Sequence, residues 1–273
     1  MAFIVHVKAY HLPGGWGLVS VSPFCLKLDA FLRLADIPHE AITATTPFGG
    51  PKGKAPWIEH EGRKIGDSTF IIQYLKNRYS VDPDAGLTPA QRGQALAIQR
   101  MVEENLYWAM VNDRWNTPAN WPVLKGSVLG GIPAPIRAVM APVARRGVIK
   151  QLKGHGLGCH SAEEIAAIAK RDITALSAIL GEQDWFFGPA PTETDCVVYS
   201  LLANVYFVGF ESPMKAMIAA TLMEENQNSN SPKLRVERRF DPVSRTVRAR
   251  PVIQVGICGS QRAIMLAPAI ASN

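Results

Sequence analysis

Residues 20–25 read Ser-Val-Ser-Pro-Phe-Cys. The last four have the frame of a redox dithiol, Cys-x-x-Cys, with the hydroxyl of Ser22 where the first sulfur would stand. Without that first cysteine no disulfide can close inside the motif, so dithiol exchange of the thioredoxin type is excluded there. What remains is a hydroxyl, Ser22 or its neighbour Ser20, at a position where a helix begins. Free backbone N–H groups and the helix dipole favour an anion at such a place. Two readings stand side by side: Ser22 as a plain N-cap, or Ser22 as the hydroxyl that holds a thiolate supplied by a second molecule. Cys25, one turn in, reads as a small shielded apolar residue. His155 and His160 stand in an H-x-x-x-C-H run, a weak metal spacing with no partner pair elsewhere, and read as loop residues; no metal site is expected.

The elements that must position these groups follow from local pattern. Phe3 to Val7 is a short apolar run that predicts a buried strand, and His11 to Ser20 reads as a Gly-rich loop. Ser22-Pro23 is a strong helix start, because proline at the first helical position gives up no needed N–H. Phe24, Leu28, Phe31, Leu32 and Ala35 follow at helical spacing and predict one buried face. Glu40 to Ala44 predicts a second strand, Ala55 to Glu59 a third, and His60 to Arg63 a hairpin turn into Lys64 to Gly66. Asp67-Ser68 opens a further helix with Phe70, Ile71, Tyr74 and Leu75 as its stripe. This order predicts a small α/β domain over residues 1–80.

From Thr88 the strand pattern ends. Thr88-Pro89 starts a long helix through Ile98, Met101, Val102, Leu106 and Trp108 to about Trp115. Residues 117–135 carry four prolines and three glycines and read as an irregular excursion. A helix from Arg137 to Lys153 follows, and Ser161 with Glu164 and Thr192 with Asp195 form capping boxes before two apolar helices. Residues 88–225 are therefore expected to be all-α.

Composition narrows the class. With 273 residues, about two domains are expected at ~150 residues each. Hydrophobic residues make up 47% and charged residues 19%, enough for a real core. The net charge of +6 sits in one place: residues 226–273 carry eight basic and two acidic side chains, and the rest of the chain is neutral. A nucleic-acid binder would carry its bases on the folded body, so none is expected as a partner. Four scattered cysteines point to reduced thiols and a cytoplasmic protein. No stretch approaches the ~20 apolar residues of a membrane span.

Taken together, Ser-Pro-Phe-Cys after a first strand, Lys-Gly-Lys-Ala-Pro-Trp-Ile-Glu-His-Glu-Gly, then Asp-Ser-Thr-Phe-Ile-Ile-Gln-Tyr-Leu and the later Thr-Glu-Thr-Asp resemble a glutathione S-transferase. The run Ser22 to Lys27, the loop Pro51 to Lys54 and the segment Gly154 to Ile165 resemble the failed-axon-connections and metaxin branch of that superfamily. The resemblance covers roughly residues 3–222 and implies a thioredoxin-like N-terminal domain followed by an all-α domain.

It also implies a ligand, glutathione, and roles for residues. Ser22, with Ser20 as the alternative, would hold the glutathione thiolate. A free thiol of pKa ~8.5 needs about 2.7 kcal/mol to drop two units. Ala55-Pro56 falls where the superfamily has a cis-proline, whose neighbour pairs with the cysteinyl backbone. Asp67 and Ser68 resemble the acidic–serine pair that receives the γ-glutamyl group, and Lys52 and Lys54 could attract the glycyl carboxylate. The plain alternatives are an ordinary proline, a helix cap and solvated lysines. Trp108, Arg114, Trp115 and Trp121 are candidates for the wall of a substrate pocket; core packing is the other reading. Thr192 and Asp195 are read as a structural box. The implied activity is glutathione transfer to a small electrophile by a homodimer. The alternative is a non-catalytic, metaxin-like interaction or targeting module. The expected closing helix of the helical domain has no visible pattern, and residues 226–273 are expected to be poorly packed.

Overall fold

The computed structural model describes residues 6–44 and 46–227. Val7 and Ala9 alternate inward along the central strand β1 (Val7–His11) and are buried. Proline-capped α1 (Pro23–Leu34) carries the chain across to β2 (His39–Thr43), which pairs parallel to β1 in the register Val7–His39 to His11–Thr43. β3 (Trp57–His60) returns antiparallel on the other side of β1, and β4 (Arg63–Gly66) closes a tight hairpin with it. The sheet order is β2-β1-β3-β4, and α2 (Ser68–Tyr79) follows. This is a thioredoxin-like layer. The strand expected at Phe3 to Val7 falls largely outside the described residues; β1 instead begins at Val7 and takes in Tyr10 and His11, because Lys8 to Tyr10 pair with Glu59 to Trp57.

The remainder is helical. α3 (Pro89–Arg100) opens with a full capping box between Thr88 and Gln91. The same helix continues through a wide π turn at Met101–Leu106, α4 (Tyr107–Val111) and a second wide turn at Asn112–Asn116. α5 (Trp121–Leu129) occupies the segment expected to be irregular; it starts with Pro122 in its first turn, where a proline costs nothing. α6 (Ala134–His155), α7 (Ala162–Leu180), α8 (Glu193–Tyr206) and α9 (Pro213–Gln227) complete the bundle. α9 packs on α7 and α8 with Met214 and Ile218 buried, so a closing helix is present although its pattern was too weak to read. The basic segment after Gln227 lies outside the described residues.

One hydrophobic cluster joins the two layers. α1 is buried on all sides from Cys25 to Leu32 rather than on one face, because α8 and α2 pack against it. That enclosure takes in two charged groups. Asp29 is held by Arg33 at 2.8 Å, and the Lys27 ammonium by Glu103 at 2.5 Å and Thr69 Oγ1 at 3.2 Å. A second polar tie sits at the linker. Lys76 lies 3.0 Å from both Asp82 and Asp84 and 2.7 Å from Glu193. Burial works against that ammonium, but the three carboxylates raise its pKa well above the ordinary value. Phe70, expected in the stripe of α2, is instead 55% exposed; Ile71, Ile72 and Leu75 supply the buried face.

Candidate active site

The chain before α1 is pinned by the serine that lies deeper. Ser20 is fully buried; its Oγ donates to the Leu12 carbonyl at 2.9 Å and accepts the Ser22 N–H at 3.3 Å. Ser20 is thus committed to holding the loop. Ser22 caps α1 with a long contact, the Cys25 N–H reaching its Oγ at 3.5 Å, and its side chain stays part-exposed at the mouth of a cleft. Of the two hydroxyls, only Ser22 lines that cleft. Cys25 sits behind it, 2% exposed, and burial pushes its thiol pKa up.

The cleft has a volume of about 450 Å³ and lies between the sheet domain and the long helix that begins at Pro89. The start of α2 forms one wall. Asp67 Oδ1 caps that helix, accepting from the N–H groups of Thr69 at 3.0 Å and Phe70 at 3.4 Å. Ser68, buried to 4% exposure, lines the same wall. The cis Ala55–Pro56 bond and the loop lysines Lys52 and Lys54 lie beside it. Lys52 stands 3.9 Å from Asp67 and lies over the Phe70 ring at 4.1 Å. Ser22, Lys52, Lys54, Ala55, Pro56, Asp67 and Ser68 therefore converge although they come from three separate segments, while Ser20 and Cys25 stay behind the cleft.

The opposite wall was only partly foreseen. Trp108 lines the cleft, stacked on His155 at 4.8 Å. With it stand Tyr107, Arg100, Glu103 and Glu104, which the sequence reading passed over. Phe24 and Tyr107 meet at 4.8 Å between ring centroids and make the apolar end. Burial raises the Tyr107 phenol. A signal for this wall existed: Glu103-Glu104-Asn105 interrupts an apolar helical face just before a Tyr-Trp pair. The wide turn at Met101–Leu106 re-aims these side chains, as π turns often do at functional sites. Glu103 bonds Lys27 through one oxygen and accepts from Gln99 Nε2 at 2.8 Å through the other, so the floor of the cleft is a closed polar network.

Three expected pocket residues, Arg114, Trp115 and Trp121, lie elsewhere. Arg114 is 5% exposed and does not line the cleft. The second wide turn carries it inward, where it donates to the Val21 carbonyl at 2.7 Å and to Asn204 Oδ1 at 3.0 Å, and lies 5.2 Å from the centre of the Trp16 ring. It is a strap between the Ser22 loop and α8, and burial pushes its pKa down to about 10. Trp115 packs on Trp121 at 5.5 Å, and its carbonyl accepts from Arg145 at 2.7 Å, well inside the α5–α6 contact. Thr192 and Asp195 close the α8 start: Asp195 Oδ2 accepts from Thr192 N–H and Oγ1, both at 2.8 Å, and Oδ1 from the Phe186 N–H at 3.2 Å. His155 and His160 do not converge; His160 pairs with Glu164 at 3.4 Å. Among the described residues no cluster of three metal-ligating side chains occurs.

Comparison with known proteins bears on the family. The glutathione S-transferase N-terminal domain family model matches residues 23–120, and the glutathione S-transferase C-terminal domain model matches residues 169–228. The isoprene-epoxide–glutathione S-transferase of Rhodococcus sp. strain AD45 is 33% identical over 205 residues, 73% of this chain and 86% of that protein. The chain belongs to the glutathione S-transferase superfamily. Within it, this superfamily member is similar to the metaxin-like branch. It is 35% identical over 203 residues to Failed axon connections of Drosophila melanogaster and 30% identical over 202 residues to Metaxin-1 of Sus scrofa. It spans 48% of the first of these and 62% of the second. The fold agrees with solved transferases. The glutathione complex of CsGST63524 from Ceriporiopsis subvermispora superposes with a TM-score of 0.55 at 17% identity, covering 81% of this chain and 97% of that one.

Proposed function

We propose that the cleft binds glutathione and that the Ser22 hydroxyl and the N-terminus of α1 stabilise its thiolate for attack on a small electrophile. The observation that carries this is the convergence of Ser22, Ala55–Pro56, Asp67 and Ser68 on one cleft. Their chemistry suits the ligand. Ser68 at the positive end of α2 suits the α-carboxylate, Asp67 offers a counter-charge to the ammonium, and Lys52 and Lys54 are partners for the glycyl carboxylate. A charge-assisted hydrogen bond from Ser22 would favour thiolate over thiol. Phe24, Tyr107 and Trp108 then form the side from which an apolar electrophile approaches. The isoprene-epoxide transferase among the relatives makes a small epoxide a reasonable first substrate. Phe48, 76% exposed, and Phe70 lie outside the cleft on the sheet domain and are the surface we assign to a homodimer.

The similarity to Metaxin-1 and Failed axon connections supports a second reading, a transferase fold kept as an interaction module. Thermal shift and turnover separate them. Glutathione at 100 times its dissociation constant should stabilise by about 2.7 kcal/mol, raising the midpoint by roughly 5–10 °C for a chain of this size. Ser22→Ala should retain most of that shift yet lose conjugation by ten-fold or more. A shift without turnover supports the module; no shift at all sinks the glutathione reading.

A further inference from the structure

The cleft uses few of the chain's cations, and their distribution over the folded body is uneven. The first 225 residues hold 21 basic and 21 acidic side chains, but Arg114 to Ala162 takes seven of the bases and none of the acids. Apart from buried Arg114 and part-buried Arg145, which turns in to the Trp115 carbonyl, these cations lie at the surface on and around α6. That helix also carries an exposed apolar stripe: Ile136 is 51% exposed, Val139 69%, Met140 47% and Val143 63%. At about 100° per residue the four fall within one ~100° arc. The arc lies roughly opposite the side formed by Ala141, Arg145 and Leu152, which faces the bundle. Between Ala134 and Gly147 only Ala141 is buried. Half of a 22-residue helix thus stands out with apolar side chains on the face away from the core, an arrangement that soluble monomers avoid unless something covers it.

Charge decides what covers it. Arg146 borders one edge of the arc and Arg137 flanks the other side, Lys150 continues the arc about two turns beyond Val143, and Lys125 stands on the neighbouring α5. Two copies meeting symmetrically on this face would bring these cations together, which is repulsive. An anionic bilayer surface meets both demands: acyl chains receive the stripe and headgroups the flanking cations. The helix would lie in the interface and not cross it; no helix among the described residues is long and apolar enough to span.

We propose that α6 is a peripheral docking surface for an anionic lipid bilayer, with Val139, Met140 and Val143 entering the acyl boundary. The test uses the full chain and co-sedimentation with vesicles of phosphatidylcholine alone or mixed with phosphatidylglycerol. Binding to the mixed vesicles, weak binding to the neutral ones, and loss in Val139→Asp/Val143→Asp are expected. Each interfacial cation is worth about a five-fold change in partition, so Arg137→Gln/Arg146→Gln/Lys150→Gln should weaken binding roughly a hundred-fold. Thermal melts matching the parent would show that these exposed substitutions leave the fold intact. Undiminished binding in the stripe variant would assign the interaction to the basic segment after Gln227 and overturn the proposal. So would no binding to either vesicle, or a self-association that the same substitutions abolish.

Discussion

The Lys27–Glu103 pair joins the two domains directly beneath the cleft, and its energetics can be worked from its surroundings. Lys27 is 1% exposed and Glu103 10%, and the ammonium has one further acceptor, Thr69 Oγ1. Glu103→Leu would leave that charge buried with a single hydroxyl partner and strip Gln99 Nε2 of one of its two acceptors. Removing one partner of a buried ion pair costs about 3–5 kcal/mol. Against a total stability of ~5–15 kcal/mol that is a large fraction. Lys27→Met leaves the carboxylate at the cleft edge, where Gln99 and water still reach it, so a smaller loss of about 1–3 kcal/mol is expected. The double variant Lys27→Met/Glu103→Leu replaces both charges by apolar groups of similar size and should fall within about 1 kcal/mol of the parent or exceed it. Urea unfolding followed by circular dichroism and tryptophan fluorescence, with coincident transitions, gives the three differences. Because the ammonium is 1% exposed, they should change little with added salt. A loss under about 1 kcal/mol for Glu103→Leu, or a double variant equal to the sum of the singles, would refute the view that this pair is a coupled buried bridge.

Three further outcomes follow from the same packing. Arg114→Lys keeps a charge but cannot reach Val21 and Asn204 together; a stability loss of about 1–3 kcal/mol with a raised KM for glutathione is expected, and an unchanged KM would detach the strap from the Ser22 loop. Burial pushes the Asp113 carboxyl up to about 6, above its unfolded ~3.9, so the folded state holds the extra proton and stability falls as pH rises from about 4 to 6. Asp113→Asn should therefore be the more stable protein at pH 7, by up to ~3 kcal/mol, with the advantage gone near pH 4; melts showing a pH-independent difference would contradict this. Asp195→Ala orphans the Thr192 and Phe186 N–H groups and should cost about 2–4 kcal/mol, read by chemical denaturation, with no change in turnover beyond that due to unfolding.

Local chemistry made several parts of this protein readable in one dimension. Ser22-Pro23, Asp67-Ser68, Thr88-Pro89, Ser161 with Glu164 and Thr192 with Asp195 each satisfy backbone groups within four residues, and each opens a helix where expected. The break between an α/β half and a helical half is legible because the change of hydrophobic period is itself local. The closing helix α9 was hidden because its inward side chains among the described ones, Met214 and Ile218 with part-buried Met217, span little more than a turn, and α5 was hidden by Pro122, which its first turn tolerates.

What tertiary structure decided was which side chains meet. Ser20 and Ser22 are equal as letters; the Leu12 carbonyl, eight residues from Ser20, consumes one and leaves the other at the cleft. Arg114, Trp115 and Trp108 share one helix, yet two wide turns send only Trp108 to the cleft. Lys27 sits on an apolar face of α1 and is tolerated there only because Glu103, 76 residues on, arrives opposite it. Caps and periods are set within a turn or two, where neighbours are fixed by the chain. Burial, charge pairing and the walls of a cleft depend on contacts between residues that the chain itself does not hold together.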